Sequence, residues 1–186
     1  MNTYIQSLVD AKKLDISLQP DRWKFDDSPY VISGPCSVES EEMIVDWAHK
    51  MKGVGVNALR GGAYKPCTFP VTEEVGKNGW KEGLREEGLR FLKTAREETG
   101  LPIVSEIMDS NQITESTMDC IDIVQVGTRN FQNYTLLDAL GELDIPILLK
   151  RGTWGTIDEI LGAVERILVK GNEKVAICLR GVVGAP

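Results

Sequence analysis

The sequence predicts a parallel α/β fold made of six successive strand–helix units. Three observations carry that expectation. Short apolar runs recur along the chain, an amphipathic helical segment separates each run from the next, and Gly, Pro or Asn marks most of the joins.

After a polar lead-in over residues 1–28, the run from Pro29 to Cys36 reads as the first strand and ends in a Gly-Pro turn. A helix follows from about Ser40 to Lys52, with Met43, Ile44, Trp47 and Met51 on one face and Gly53 as its stop. Val56 to Leu59 is the second strand and runs into Arg60-Gly61-Gly62. A polar loop rich in Gly and Pro then covers about Ala63 to Gly83. The next helix spans about Leu84 to Glu98, with Leu89, Leu92 and Ala95 on its apolar side.

Pro102 to Ile107 is the third strand, and Asp109 or Ser110 can cap a short helix ending near Met118. Ile121 to Val126 makes the fourth, and Asn133 can cap a helix through about Leu143. Pro146 to Leu149 is the fifth. Thr156 and Glu159 form a capping-box pair that starts a helix with Ile160, Ala163, Val164 and Ile167 as its stripe. Lys174 to Leu179 is the sixth strand. Continuous apolar runs such as IPILL and KVAICL predict strands buried on both faces.

This period matches a (β/α)8 TIM barrel truncated to about six repeats. A whole barrel takes roughly 200 residues or more, and the chain has 186. A complete six-stranded open sheet fits the same period. The expected organisation is a lead-in over residues 1–28 and one incomplete barrel domain over 29–186.

A net charge of −7 argues against broad binding to nucleic acid or an anionic membrane. The cysteines (Cys36, Cys67, Cys120 and Cys178) show no CxxC spacing and read as reduced thiols. The N-terminus has no apolar signal region, and no apolar run approaches the roughly 20 residues that span a bilayer. A cytoplasmic location is expected.

In parallel α/β folds, binding sites form at the carboxyl ends of the strands. Those ends carry, in order, Cys36, Arg60, Glu106, Arg129, Lys150 and Arg180, with Lys65 in the loop after the second strand. Four of the six are cations in an acidic protein. Desolvating them requires a counter-charge, and a bound phosphate or carboxylate supplies one. Snorkelling side chains or internal salt bridges are the plainer alternative.

The motifs GPCSVES, LRGGAYKPxT, GLPIVSEIMD, VQVGTRNFQN, PILLKRG and CLRG, in that order, resemble the type I 3-deoxy-7-phosphoheptulonate (DAHP) synthase family, a branch of the DAHP/KDO8P synthases. The KPxT element separates it from the octulosonate branch, which carries a KANRSS-like segment there. The resemblance implies a (β/α)8 barrel that condenses phosphoenolpyruvate with erythrose 4-phosphate, the first step of the shikimate pathway. It also implies a divalent metal ion of the Mn, Fe, Co or Zn class, a role in aromatic amino acid biosynthesis, and a homo-oligomer as the expected assembly.

By the same resemblance, Arg60, Lys65, Arg129, Lys150 and Arg180 would bind the phosphate and carboxylate of phosphoenolpyruvate. Lys65 and Glu106 would be catalytic, Glu106 beside the site ordering the attacking water. Cys36 would be one metal ligand. Two departures accompany the match. Cys67 stands where the family's KPRT has an arginine, and the family's other metal ligands (His, Glu and Asp) fall on or after the last strands, beyond Pro186. His49, the single histidine, is expected on the surface of the first helix. A non-catalytic chain that still binds phosphoenolpyruvate or a similar anion is therefore the alternative.

Overall fold

The computed structural model describes Ser7 and residues 29–68 and 83–181. The lead-in expected over residues 1–28 and most of the loop after the second strand lie outside them. Six strands alternate with helices: β1 (Ile32–Ser33), α1 (Glu41–Gly53), β2 (Ala58–Arg60), α2 (Arg85–Thr99), β3 (Ile103–Glu106), α3 (Glu115–Met118), β4 (Ile123–Val126), α4 (Tyr134–Gly141), β5 (Ile147–Lys150), α5 (Ile157–Leu168) and β6 (Val175–Cys178). The strands follow chain order in the sheet. Backbone contacts divide the molecule into two compact units, Phe25–Val124 and a second that holds Gln125–Pro186, and the division falls within β4.

In the first unit, β1 pairs in parallel with β2, Ile32 opposite Ala58, and β2 with β3, Leu59 opposite Ile103. Every residue of β3 is buried, as the apolar run Ile103-Val104 predicts. Ser40 caps α1 by accepting from the Met43 amide. This helix buries Ile44 and Ala48, whereas Trp47, placed on the apolar face by its spacing, is 39% exposed. His49 lies on the surface as expected, its Nε2 3.0 Å from Glu98 Oε2. Helix α2 buries Leu89, Leu92 and Ala95 and ends at Gly100, whose φ of 73° suits a residue without Cβ.

The short helix expected after β3 is in fact two pieces. Asp109 and Gln112 form a capping box around a 3-10 turn, Ser110–Gln112. Thr114 then caps α3 separately by accepting from the Thr117 amide. Two competent caps five residues apart each begin their own turn, so one continuous helix does not form.

A partly buried ion pair ties α2 to the sheet. Asp122 Oδ2 accepts from Arg96 Nη1 at 3.1 Å and from the Ile103 amide at 2.9 Å. The Asp122 amide returns a bond to the Ile103 carbonyl at 3.0 Å.

In the second unit, β5 and β6 pair in parallel from Ile147–Val175 to Lys150–Cys178. Thr156 and Glu159 form the capping box that starts α5, and Ile160, Ala163, Val164 and Ile167 are buried as their spacing predicts. Arg166 joins α5 to α4 with a two-pronged contact to Asp138 at 2.9 and 2.6 Å, and its guanidinium lies 4.8 Å from the Tyr134 ring centre.

The expectation of strands buried on both faces, made for IPILL and KVAICL, holds in part for β5, where Ile147 and Leu149 are buried and Leu148 and Lys150 half-buried, and fails for β6, while β3 and β4 are buried throughout. Ile177 is 37% exposed and Leu179 66%. An apolar run reports burial only where neighbours cover both faces, and β6 is the last strand in the sheet order. Cys120 is buried, and Cys178 is half-buried on β6.

Asp122→Ala leaves the buried Ile103 amide without its side-chain acceptor, while Arg96 keeps the Asp119 carbonyl. The variant should therefore lower stability by about 2 kcal/mol, read as an earlier midpoint in chemical denaturation. A midpoint shift equivalent to less than about 1 kcal/mol would mean that the pair behaves as a surface contact.

Candidate functional site

Each expected site residue lies at or just beyond the carboxyl end of its strand. Arg60 ends β2, Glu106 ends β3 and Lys150 ends β5. Arg129 sits in the 3-10 turn Thr128–Asn130 after β4, and Arg180 lies two residues past β6. Cys36, Arg60, Lys65 and Glu106 belong to the first unit, and Arg129, Lys150 and Arg180 to the second.

The first unit brings Cys36, Arg60 and Lys65 together. Arg60 Nη1 donates to the carbonyls of Pro35 and Cys36, both at 3.0 Å. The Val38 amide donates to the Gly62 carbonyl at 2.9 Å, so the loop after β1 lies against the Arg60-Gly61-Gly62 turn. Two glycines allow this approach. A Cβ on Gly34 would stand 2.0 Å from the Arg60 carbonyl oxygen, and one on Gly62 would stand 2.5 Å from that of Cys36. The strand-end cation is thus held by backbone carbonyls, and it fixes the loop that carries Cys36.

Cys36 is exposed, which sets aside a buried structural role for its thiol. Its hydrogen bond with Lys65 pulls the thiol below the ordinary range against partial burial, and Arg60 adds to the effect. When deprotonated, such a thiol is a competent metal ligand. However, among the described residues no group of three or more His, Cys, Asp or Glu side chains could hold an ion. Structural zinc sites take four ligands, so the described residues do not by themselves fit the expected metal. Cys67, at the position of the family's arginine, is half-buried.

Glu106 is buried at 4% exposure. Tyr64, Arg85, Glu86, Met108 and Gln112 line a cavity of about 310 Å³. The Tyr64 phenol is buried and donates to Glu86, and these two causes, in that order, push its pKa up to about 12. Tyr64 is a neutral donor on that wall at physiological pH. The sequence reading passed over it because a tyrosine within GAYKP carries no charge to mark it.

In the second unit, Arg180 Nη1 donates to Thr128 Oγ1 at 2.7 Å. Thr128 Oγ1 donates in turn to the Arg151 carbonyl at 3.5 Å. Arg151 Nη1 donates to Gly155 O at 2.6 Å, and Nη2 to Arg180 O and Gly181 O at 2.9 and 2.8 Å. The sequence reading took Lys150 from the LLKRG motif and missed both Arg151 and Thr128. Two adjacent cations were the one available signal.

The family model described as the DAHP synthetase I family matches residues 14–185. Phospho-2-dehydro-3-deoxyheptonate aldolase of Thermotoga maritima is 41% identical over 152 residues, covering 82% of this chain and 42% of its own length. The crystal structure of that aldolase (DAHP synthase) superposes with a TM-score of 0.72 at 40% identity, covering 83% of this chain and 42% of the other. A 2-dehydro-3-deoxyphosphooctonate aldolase of Syntrophotalea carbinolica is 29% identical over 151 residues, 81% of this chain and 54% of its own length. The chain thus spans about half the length of the curated relatives it matches. The α/β architecture and the truncated (β/α)8-barrel class agree with the sequence expectation.

Two solution measurements test the first-unit geometry. The pH profile of iodoacetamide alkylation at Cys36, assigned with Cys36→Ser, should have its midpoint below that of an ordinary thiol and move upward in Lys65→Ala. An unmoved midpoint would remove Lys65 as the cause. Ultraviolet titration of tyrosine should show a component near pH 12 that disappears in Tyr64→Phe. A folded-state pKa raised above the unfolded value means that stability falls as pH rises from about 10 to about 12. That decline should be shallower in the Phe variant.

Proposed function

The chain belongs to the DAHP synthetase I family, and on that premise we propose that it serves the condensation of phosphoenolpyruvate with erythrose 4-phosphate to 3-deoxy-D-arabino-heptulosonate 7-phosphate. One observation carries this reading. In an acidic chain, a cation stands at the carboxyl end of β2 and β5 and in the first residues beyond β4 and β6.

Phosphoenolpyruvate has a phosphate and a carboxylate, and both suit such groups. Arg60, Lys65, Arg129, Lys150 and Arg180 bind them, the arginines through planar N–H forks and the lysines as point charges. Fixed cations of this kind hold the enol carbon toward the aldehyde without reorganising during the reaction. Glu106, buried at the end of β3, orders the water that adds to the intermediate, after which phosphate departs. Lys65 pairs with Glu106 in catalysis: its ammonium, already hydrogen-bonded to Cys36, offsets negative charge that develops beside it. Cys36 is the side chain of this set suited to a metal. Recognition of the aldose phosphate relies on groups other than an arginine at position 67, because Cys67 is neutral there.

Calorimetric titration with phosphoenolpyruvate tests the reading. Binding should be measurable, and Arg129→Ala should weaken it by about tenfold or more, the value of one charged hydrogen-bond pair. Unchanged affinity in that variant contradicts the assigned role. Consumption of phosphoenolpyruvate that depends on erythrose 4-phosphate, with Mn²⁺ supplied, supports the enzyme. Binding with no turnover assigns the chain the binding role alone.

A further inference from the structure

We propose that Arg151 is a positioning residue: it fixes the turn beyond β6 so that Arg180 is presented in one orientation. The proposal rests on the reading above that Arg180 contacts the substrate anion. Arg151 has the same chemistry as the binding arginines and follows Lys150 directly, yet its Nη donors go to backbone. Nη1 reaches Gly155 O at 2.6 Å, in the turn before α5, and Nη2 reaches Arg180 O and Gly181 O at 2.9 and 2.8 Å. One planar fork therefore holds three carbonyls from two loops, which the single ammonium of a lysine cannot do with the same geometry.

Further contacts converge on the same turn. The Arg151 amide donates to Cys178 O at 3.1 Å, continuing the β5–β6 ladder to its end. Gly181 has a φ of +66°, and a Cβ there would lie 2.5 Å from Thr153 Cγ2, so the turn sits closely on the loop that follows Arg151. Arg151 and Thr153 thus hold the backbone of the turn, and Thr128 Oγ1 holds the Arg180 guanidinium at 2.7 Å.

Arg180 is exposed. A long exposed side chain must be ordered on binding, and a side chain ordered in advance loses less freedom when the anion arrives. Arg151 removes backbone freedom from Arg180, whose side chain is held by the Thr128 hydroxyl. The two arginines have different tasks despite equal charge.

The test compares wild type, Arg151→Met, Arg180→Ala and the double variant by two readouts. The first is ¹⁵N relaxation of the Arg180 Nε–Hε group, assigned with Arg180→Lys. It should report an ordered side chain in wild type and an averaged one in Arg151→Met. The second is phosphoenolpyruvate affinity by calorimetry. Arg151→Met should weaken it about tenfold, and adding Arg180→Ala should cost less than about twofold more, because coupled residues are not additive.

Should the Met variant fail to fold, Arg151→Lys takes its place. It keeps the charge and should shift both readouts in the same direction by a smaller amount. An Arg180 signal equally ordered in the Arg151 variant overturns the proposal, and so do losses that simply multiply. A wild type that does not bind phosphoenolpyruvate refutes the functional reading, and the relaxation data then decide the role of Arg151 alone.

Discussion

A guanidinium at the end of an apolar strand must find acceptors, and in this chain the first acceptors are backbone carbonyls of adjoining loops. Arg60 takes those of Pro35 and Cys36, and Arg151 takes those of Gly155, Arg180 and Gly181. Each contact satisfies the cation and at the same time stiffens a loop that carries another candidate residue, Cys36 in one unit and Arg180 in the other. The positions of Cys36 and Arg180 follow from these contacts.

The loops can be held so closely because small residues leave room. At the β1 loop, Gly34 and Gly62 let two stretches of backbone approach where any Cβ would collide. Behind that loop, β3 is buried along its length, and Asp122 secures the adjoining helix through Arg96. The apolar core and this partly buried ion pair thus supply a stiff base, and the arginine–carbonyl contacts carry that stiffness to the strand ends. Lys65, with a smaller effect from Arg60, then lowers the pKa of a thiol whose place is already set.

Local signals in the sequence were reliable where local physics decides. The Thr156–Glu159 capping box and the buried stripes of α2 and α5 appear in the structure as their spacing predicts. The placement of Arg60, Arg129, Lys150 and Arg180 at strand ends was legible for the same reason, since strand and breaker follow each other directly in the chain. Features set by distant partners were not. Trp47 and Ile177 look apolar and inward from spacing alone, and their exposure depends on which neighbours reach them. The role of Arg151 is not legible beside Lys150, because its acceptors Arg180 and Gly181 lie some thirty residues away. Nothing local in LLKRG separates a positioning arginine from a binding one.

The central claim is that strand-end cations hold a phosphorylated carboxylate. A crystal structure of the chain grown with phosphoenolpyruvate examines it most directly. The account predicts the ligand's phosphate or carboxylate oxygens within hydrogen-bond distance of the Arg129, Lys150 and Arg180 side chains. Ligand density that avoids all three, while those side chains remain engaged only with protein or solvent, would contradict it.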